Sequence, residues 1–211
     1  MNRPMLALVF LGLVVAGGFA RASAGEKPAA AGPATAPDEK VTNGYDLKPQ
    51  ALLDLQQLQK KYTDLANAIP QEKYTWRPAE GVRSVSEVFL HVAQSNYYFL
   101  GFLGVALPAG TDAKDFTTST TDKAKIIDQM NQSFAFTQAA VGKLTNADLA
   151  KALPKLGPDA NEGDVVYLLV THLHEHLGQS IAYARINGVV PPWTAAAAAA
   201  AAAKKSQAPQ E

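Results

Sequence analysis

The stretch His172-Leu-His174-Glu175-His176-Leu-Gly178-Gln179 holds all but one of the four histidines in a chain of 211 residues. His172 and His176 are four residues apart, so on a helix they stand on one face, a turn apart. They belong to a longer run, about 162–187, in which Val165, Leu168/Leu169, His172, His176, Gln179, Tyr183 and Ile186 recur at helical spacing. Asn187-Gly188 is a helix-end signal, and Pro191-Pro192 prevents continuation. Burying two imidazoles costs free energy unless their nitrogens find partners, and one metal ion would partner both. The plain alternative is a pair of hydrogen-bonded histidines that bind nothing.

Upstream lie three more helical stretches. In about 49–68, Leu52, Leu55, Leu58/Gln59, Tyr62 and Leu65/Ala66 form a stripe, with Pro49 in the first turn and Pro70 ending the run. In about 85–103, Ser84 and Glu87 have the spacing of a capping box. Val88, His91, Ser95, Tyr98 and Phe102 follow one face there, and Gly104 and Pro108 stop it. In about 122–144, Ile126/Ile127, Met130, Phe134, Thr137/Gln138 and Val141 form the stripe, with Thr121 as the expected cap. No segment alternates like a strand over more than a few residues. Four helices of this length predict an all-α four-helix bundle, an architecture that houses metals between facing helices. The longer links, near 104–121 and 145–161, leave the topology open.

Composition sets the outer limits. The chain is 47% hydrophobic and 18% charged with zero net charge. That balance is globular and shows no basic stripe for nucleic acid. It has no cysteine, which excludes disulfides, thiolate ligands and a lipoprotein anchor. Arg3, the apolar run from Met5 to Ala20 and the small residues Ala22-Ser23-Ala24 read as a signal peptide, 1–24, cut after Ala24. The expectation is an exported protein, periplasmic or extracellular, with no stable membrane insertion after cleavage. Residues 25–44, rich in Ala, Pro and Gly, read as a disordered linker. The domain is expected at 45–194, followed by an alanine-rich tail, 195–211. That tail has helix propensity but no apolar face to dock.

His91 sits on the inward stripe of the second helix and is the remaining inward histidine. With His172 and His176 it would form a three-imidazole site with at least one open position, as catalytic metal sites have. His174 lies about 200° around the helix from His172 and is expected to be exposed. Glu175, about 60° from His172, is readable as an acceptor for a ligand N–H, as a general base, or as a solvated carboxylate. Glu87, one turn before His91, is a second candidate to orient a ligand or accept a proton. Tyr98, on the His91 stripe, is a candidate donor to a developing oxyanion. The segment also fits H-x-x-E-H, the inverted zinc-protease pattern. Only Glu211 could supply that pattern's acidic ligand downstream, so the protease reading fails.

Two groups of residues carry a resemblance. Trp76-Arg-Pro, followed by Ser84 and His91-Val-Ala93, and then His176-x-Gly178-Gln179 with Tyr183-x-Arg185 and Gly188-x-x-Pro191-Pro192, resemble the DinB-like family of metal-binding four-helix proteins. The resemblance implies an up-down-down-up bundle with His91, His172 and His176 on a divalent transition metal, Zn, Ni or Fe. It implies structural roles for Gly178 in close packing, Gln179 in polar bonding and Arg185 in a surface or capping pair. Many relatives read His-His-Arg-Gly-Gln where this chain has Glu175-His176-Leu177-Gly178-Gln179, so an anion-attracting edge is acidic or apolar here. Characterised relatives are largely cytoplasmic thiol transferases or isomerases, and an exported chain has no ready thiol pool. The expected function is therefore a metal-dependent hydrolase or transferase acting on a small molecule, or a non-catalytic metal or small-ligand binder. Apolar bundle faces are compatible with a homodimer.

Overall fold

The computed structural model describes residues 46–109, 111 and 116–206. The expected signal peptide and linker, and the last five residues of the tail, lie outside the described residues. The described chain is helical. Four long helices, α1 (Leu47–Ala68), α2 (Val85–Phe102), α3 (Lys123–Lys143) and α5 (Glu162–Ile186), build the bundle. A one-turn helix, α4 (Asn146–Leu149), lies in the link before α5, and α6 (Pro192–Ser206) follows it.

Each start has a local cause. Ser84 Oγ accepts the Glu87 amide while the Glu87 carboxylate accepts the Ser84 amide, the capping box expected for α2. Asn161 and Asp164 form an equivalent reciprocal pair at α5. The cap of α3 is Asp122, not Thr121: the Asp122 carboxylate accepts the Lys125 amide. A carboxylate outcompetes a neighbouring hydroxyl at a helix N-terminus because it also meets the positive end of the helix dipole. Gly104 and Gly188 follow α2 and α5 with φ of 71° and 76°, the left-handed turn that lets each helix end sharply.

Within the bundle α1 and α2 each pack against both α3 and α5. Lys48 donates to the Leu144 carbonyl at one end of the α1–α3 pair and Lys123 to the Ile69 carbonyl at the other, so these helices are antiparallel. Leu47 adjoins Gly163, and the Tyr62 hydroxyl donates to the Leu173 carbonyl at 2.6 Å, so α1 and α5 run parallel. Trp76 meets Tyr183 and Phe99 meets His172, so α2 opposes α5. The result is the up-down-down-up order. Parallel α2 and α3 need a connection that returns along the bundle, roughly 27 Å for an 18-residue helix, which is why the 103–122 link is long.

The core is centred on Tyr62, Phe89 and Phe134, all fully buried, with ring centroids 5.8 Å (Tyr62–Phe134) and 6.3 Å (Tyr62–Phe89) apart. The stripes read in α1 and α3 face it: Leu55, Leu58, Tyr62 and Leu65 from one, Ile126, Met130, Phe134 and Val141 from the other. Two stripe positions do not. Tyr98 is 63% exposed and Ile186 66%: the buried face of α2 runs through Phe89, Val92, Asn96 and Leu100, and Ile186 is the last residue of α5. α6 begins at Pro192, and Trp193 ties it to the bundle beside α1 while the alanine run stays exposed. No described helix is long and apolar enough to cross a membrane.

Candidate metal centre

His91 comes from the second turn of α2, and His172 and His176 come from the middle of α5. The antiparallel packing of those helices brings the three rings edge to face, with centroids 5.2 Å (His91–His172), 4.6 Å (His91–His176) and 4.5 Å (His172–His176) apart. One ring nitrogen from each lies within 4.8 Å of the others. His91 and His172 are half-buried, His176 is buried and His174 is exposed.

Each ring is oriented by its surroundings. His176 Nδ1 lies 2.8 Å from Gln179 Oε1, and the Gln179 amide nitrogen donates to the Tyr183 hydroxyl at 3.0 Å. An amide oxygen only accepts, so His176 Nδ1 carries the proton and Nε2 offers its lone pair. Tyr183 in turn stacks edge to face with Trp76 at 5.3 Å. His172 Nε2 lies 3.0 Å from the Ser95 hydroxyl, which is 3.5 Å from His91 Nε2. His91 Nδ1 is buried without a hydrogen-bond partner.

Burial, then the Arg83 charge, then His176 and His172 push the His91 pKa down to about 3, against a pull upward from Gln94. His172 is lowered by burial first and by His176 next, while Glu175 raises it and Arg83 adds to the lowering. His91 and His172 are therefore neutral at physiological pH, the state a metal requires. Close, uncharged imidazole nitrogens and an orphaned buried ring nitrogen fit a divalent transition metal. The chemistry of the donors does not distinguish Zn, Ni or Fe.

His91 and His172 also line a cavity of about 510 Å³ walled by Tyr97, Phe99, Leu107 and Phe116. His176 stands outside that lining.

The family model of the DinB superfamily matches residues 54–180. The chain belongs to the DinB superfamily. Among solved structures it is similar to a DinB-like protein from Bacillus cereus ATCC 10987, with 17% identity, a TM-score of 0.58, and coverage of 68% of this chain and 95% of that one. It is also similar to YfiT from Bacillus subtilis, described as "a probable metal-dependent hydrolase with an unusual four-helix bundle topology" (18% identity, TM-score 0.54, 74% of this chain and 94% of that one). A conserved protein from Enterococcus faecalis has 13% identity and a TM-score of 0.52 over 67% of this chain and 97% of that one. At these identities the likeness is one of fold. No curated protein matches the chain.

Other expected residues of this DinB protein fall differently. Glu87 is taken up by the α2 cap and by Arg77, 3.2 Å away. Burial works to raise its pKa, but the Ser84 hydrogen bonds and Arg77 outweigh it and lower the value. It is a capping residue rather than a base for the site. Glu175 is exposed and reaches His172 only through its charge; the acceptor for a ring N–H is Gln179 instead. Tyr98 is on the cavity wall with His91 and His172, at its open side. Gly178 is exposed, and a Cβ there would meet nothing within 4 Å, so close packing does not require it.

Ser95, Gln179 and Arg83 complete the surroundings of the site. Ser95 is four residues after His91 and Gln179 three after His176, so helical spacing alone points at both. Arg83 precedes α2, and no periodicity reaches it.

Proposed function

We propose that this protein is an exported metal-dependent hydrolase of small molecules. The observation that carries the reading is the convergence of three imidazoles within 4.8 Å of one another, two of which, His91 and His172, line a largely apolar cavity. Three uncharged ligands leave the full charge of a divalent ion undiminished, and such an ion supplies a Lewis acid that activates water or polarises a carbonyl. His91, His172 and His176 would hold it. Gln179 fixes the His176 tautomer and, through Tyr183 and Trp76, anchors it to the segment ahead of α2. Ser95 places a hydroxyl beside two of the ring nitrogens, where it can donate to or accept from a group bound there. Tyr97, Phe99 and Phe116 make the cavity wall beside them aromatic. Glu175, exposed and acting on His172 by its charge, is left as a carboxylate for proton traffic at the outer face, and Tyr98 as a hydroxyl at the mouth.

The test is elemental analysis of protein purified without a His tag or chelating resin, beside His172→Ala. About one transition-metal ion per chain, lost in the variant, with ester or lactone hydrolysis that a chelator stops and the metal restores, is the expected result. A chain that neither carries nor takes up metal overturns the reading. Export is checked by the mass of the protein from the periplasm or medium: a chain beginning at Gly25 is expected, and an intact Met1 contradicts it.

One observation favours the alternative, a non-catalytic metal or small-ligand binder. Among the described residues that line the cavity there is no carboxylate to serve as a general base. Metal content without turnover on any hydrolytic substrate would select that reading.

A further inference from the structure

The cavity beside the histidines has a composition that restricts what can fill it. Tyr97, Phe99, Leu107 and Phe116 supply its surface, and Gln94, Ser95 and Thr111 supply its polar groups besides the two histidines. Among the described lining residues none is Asp, Glu, Lys or Arg. Its volume, about 510 Å³, is more than three times the ~150 Å³ that accommodates a benzene in a protein interior. That is room for roughly two to three ring-sized groups, within the range of small-molecule sites.

A hydroxyl marks the histidine end. Ser95 lies within 3.0 Å of His172 Nε2 and 3.5 Å of His91 Nε2, at the histidine end. Phe99 stacks edge to face on His172 with centroids 5.4 Å apart, and Tyr97 meets Phe116 at 6.2 Å, so aromatic surface begins directly beside the ligands. Tyr97 is 8% exposed, and its burial raises its pKa, which keeps the phenol neutral. Arg83 acts on the histidines by its charge but is exposed and does not wall the cavity. A ligand charge placed among these rings would lose water and gain no counter-charge from the described lining residues, a cost in free energy.

We propose that the cavity selects a ligand with an uncharged, ring-bearing body and one polar group directed to the histidine end, so that the substrate class is a neutral aryl ester, lactone or amide. The claim that this ligand is a substrate rests on the metal-dependent hydrolase reading; the claim that it binds does not. Anionic bodies are excluded by the lack of any described cation on the wall.

The probes are 2-naphthol and 6-hydroxynaphthalene-2-sulfonate, which share a ring system and a hydroxyl and differ by one distal charge. Each is titrated at pH 7 into the full chain as purified and into the chelator-treated full chain. Neutral 2-naphthol is expected to bind at least about tenfold more tightly in both forms. Leu107→Lys places a cation on the wall at a position 39% exposed, so the fold tolerates it, and it should narrow or invert the preference. Gly101→Trp introduces a ring where a Cβ meets nothing within 4 Å, and it should weaken 2-naphthol binding tenfold or more. Equal or tighter binding of the sulfonate in either form, no binding of 2-naphthol, or an unchanged ratio in Leu107→Lys overturns the proposal. Metal at one per chain with no naphthol binding would sink this inference alone. Naphthol binding by a chain that takes no metal would sink the hydrolase reading alone.

Discussion

At the scale of single residues, the chain His176–Gln179–Tyr183 decides how well the site is prepared. Gln179 accepts from His176 Nδ1 and leaves Nε2 free. Gln179→Leu keeps the volume and removes the acceptor, so metal affinity should fall by about 10–100-fold while the fold persists; competition against a chelator of known affinity measures it. The low His91 pKa has a second consequence. The unfolded chain binds a proton at His91 near pH 6.5, the folded chain only at about 3. Between those values the unfolded state holds more protons, so stability rises with pH, is complete above about 6.5, and is lost progressively as the pH falls toward 3. Urea midpoints of chelator-treated protein should therefore drop between pH 7 and pH 4, and His91→Gln should flatten that dependence. An equal slope in the variant would assign acid lability to other groups. The i, i+4 spacing made His172 and His176 legible as a pair, and the stripe of the second helix added His91. Spacing misjudged Glu87, because a carboxylate three residues into a helix is claimed by the cap before it can serve a site one turn on.

At the scale of elements, two glycines of α5 separate helix propensity from packing. Gly178 is exposed with open space at its Cβ position. Gly178→Ala should raise stability by about 0.5–1 kcal/mol, the ordinary gain of Ala over Gly inside a helix. At Gly163 the same change would bring a Cβ to 2.9 Å from Asn161 Oδ1 and 3.3 Å from the Leu149 carbonyl. It would disturb the cap on the helix that carries His172 and His176. Gly163→Ala should therefore lower stability by about 1 kcal/mol despite the better propensity. Thermal or urea unfolding of both variants checks the pair, and the same sign in both would contradict the assignment. The helix spans themselves were readable, since α1, α2, α3 and α5 fall within two residues of their expected bounds. The cap of α3 was not: Thr121 and its neighbour Asp122 both suit that role, and the carboxylate takes it.

At the scale of the whole molecule, the site joins α2 to α5, helices far apart in sequence that otherwise meet through apolar contacts. A metal bound to the folded protein alone should stabilise it by about 2.7 kcal/mol when free metal is a hundredfold above Kd. For a domain of this size that is a rise of several degrees in Tm, reversed by a chelator and absent in His172→Ala. Unchanged melting on metal addition would mean that the three rings do not close on an ion.

The sequence by itself determined the helices, their inward stripes and the three histidines. Those follow from local rules: the 3.6-residue period, capping chemistry, and Gly and Pro as stops. The topology came only through the family resemblance, because periodicity says which face is buried and not which helix lies against it. The tertiary structure decided what the histidines share. It put α2 antiparallel to α5, which set Ser95 between His91 and His172, brought Trp76 onto Tyr183, and left beside the histidines a cavity with no charged residue among its described lining. Each of these depends on the distance between residues remote in sequence, and that distance is fixed by packing the whole bundle.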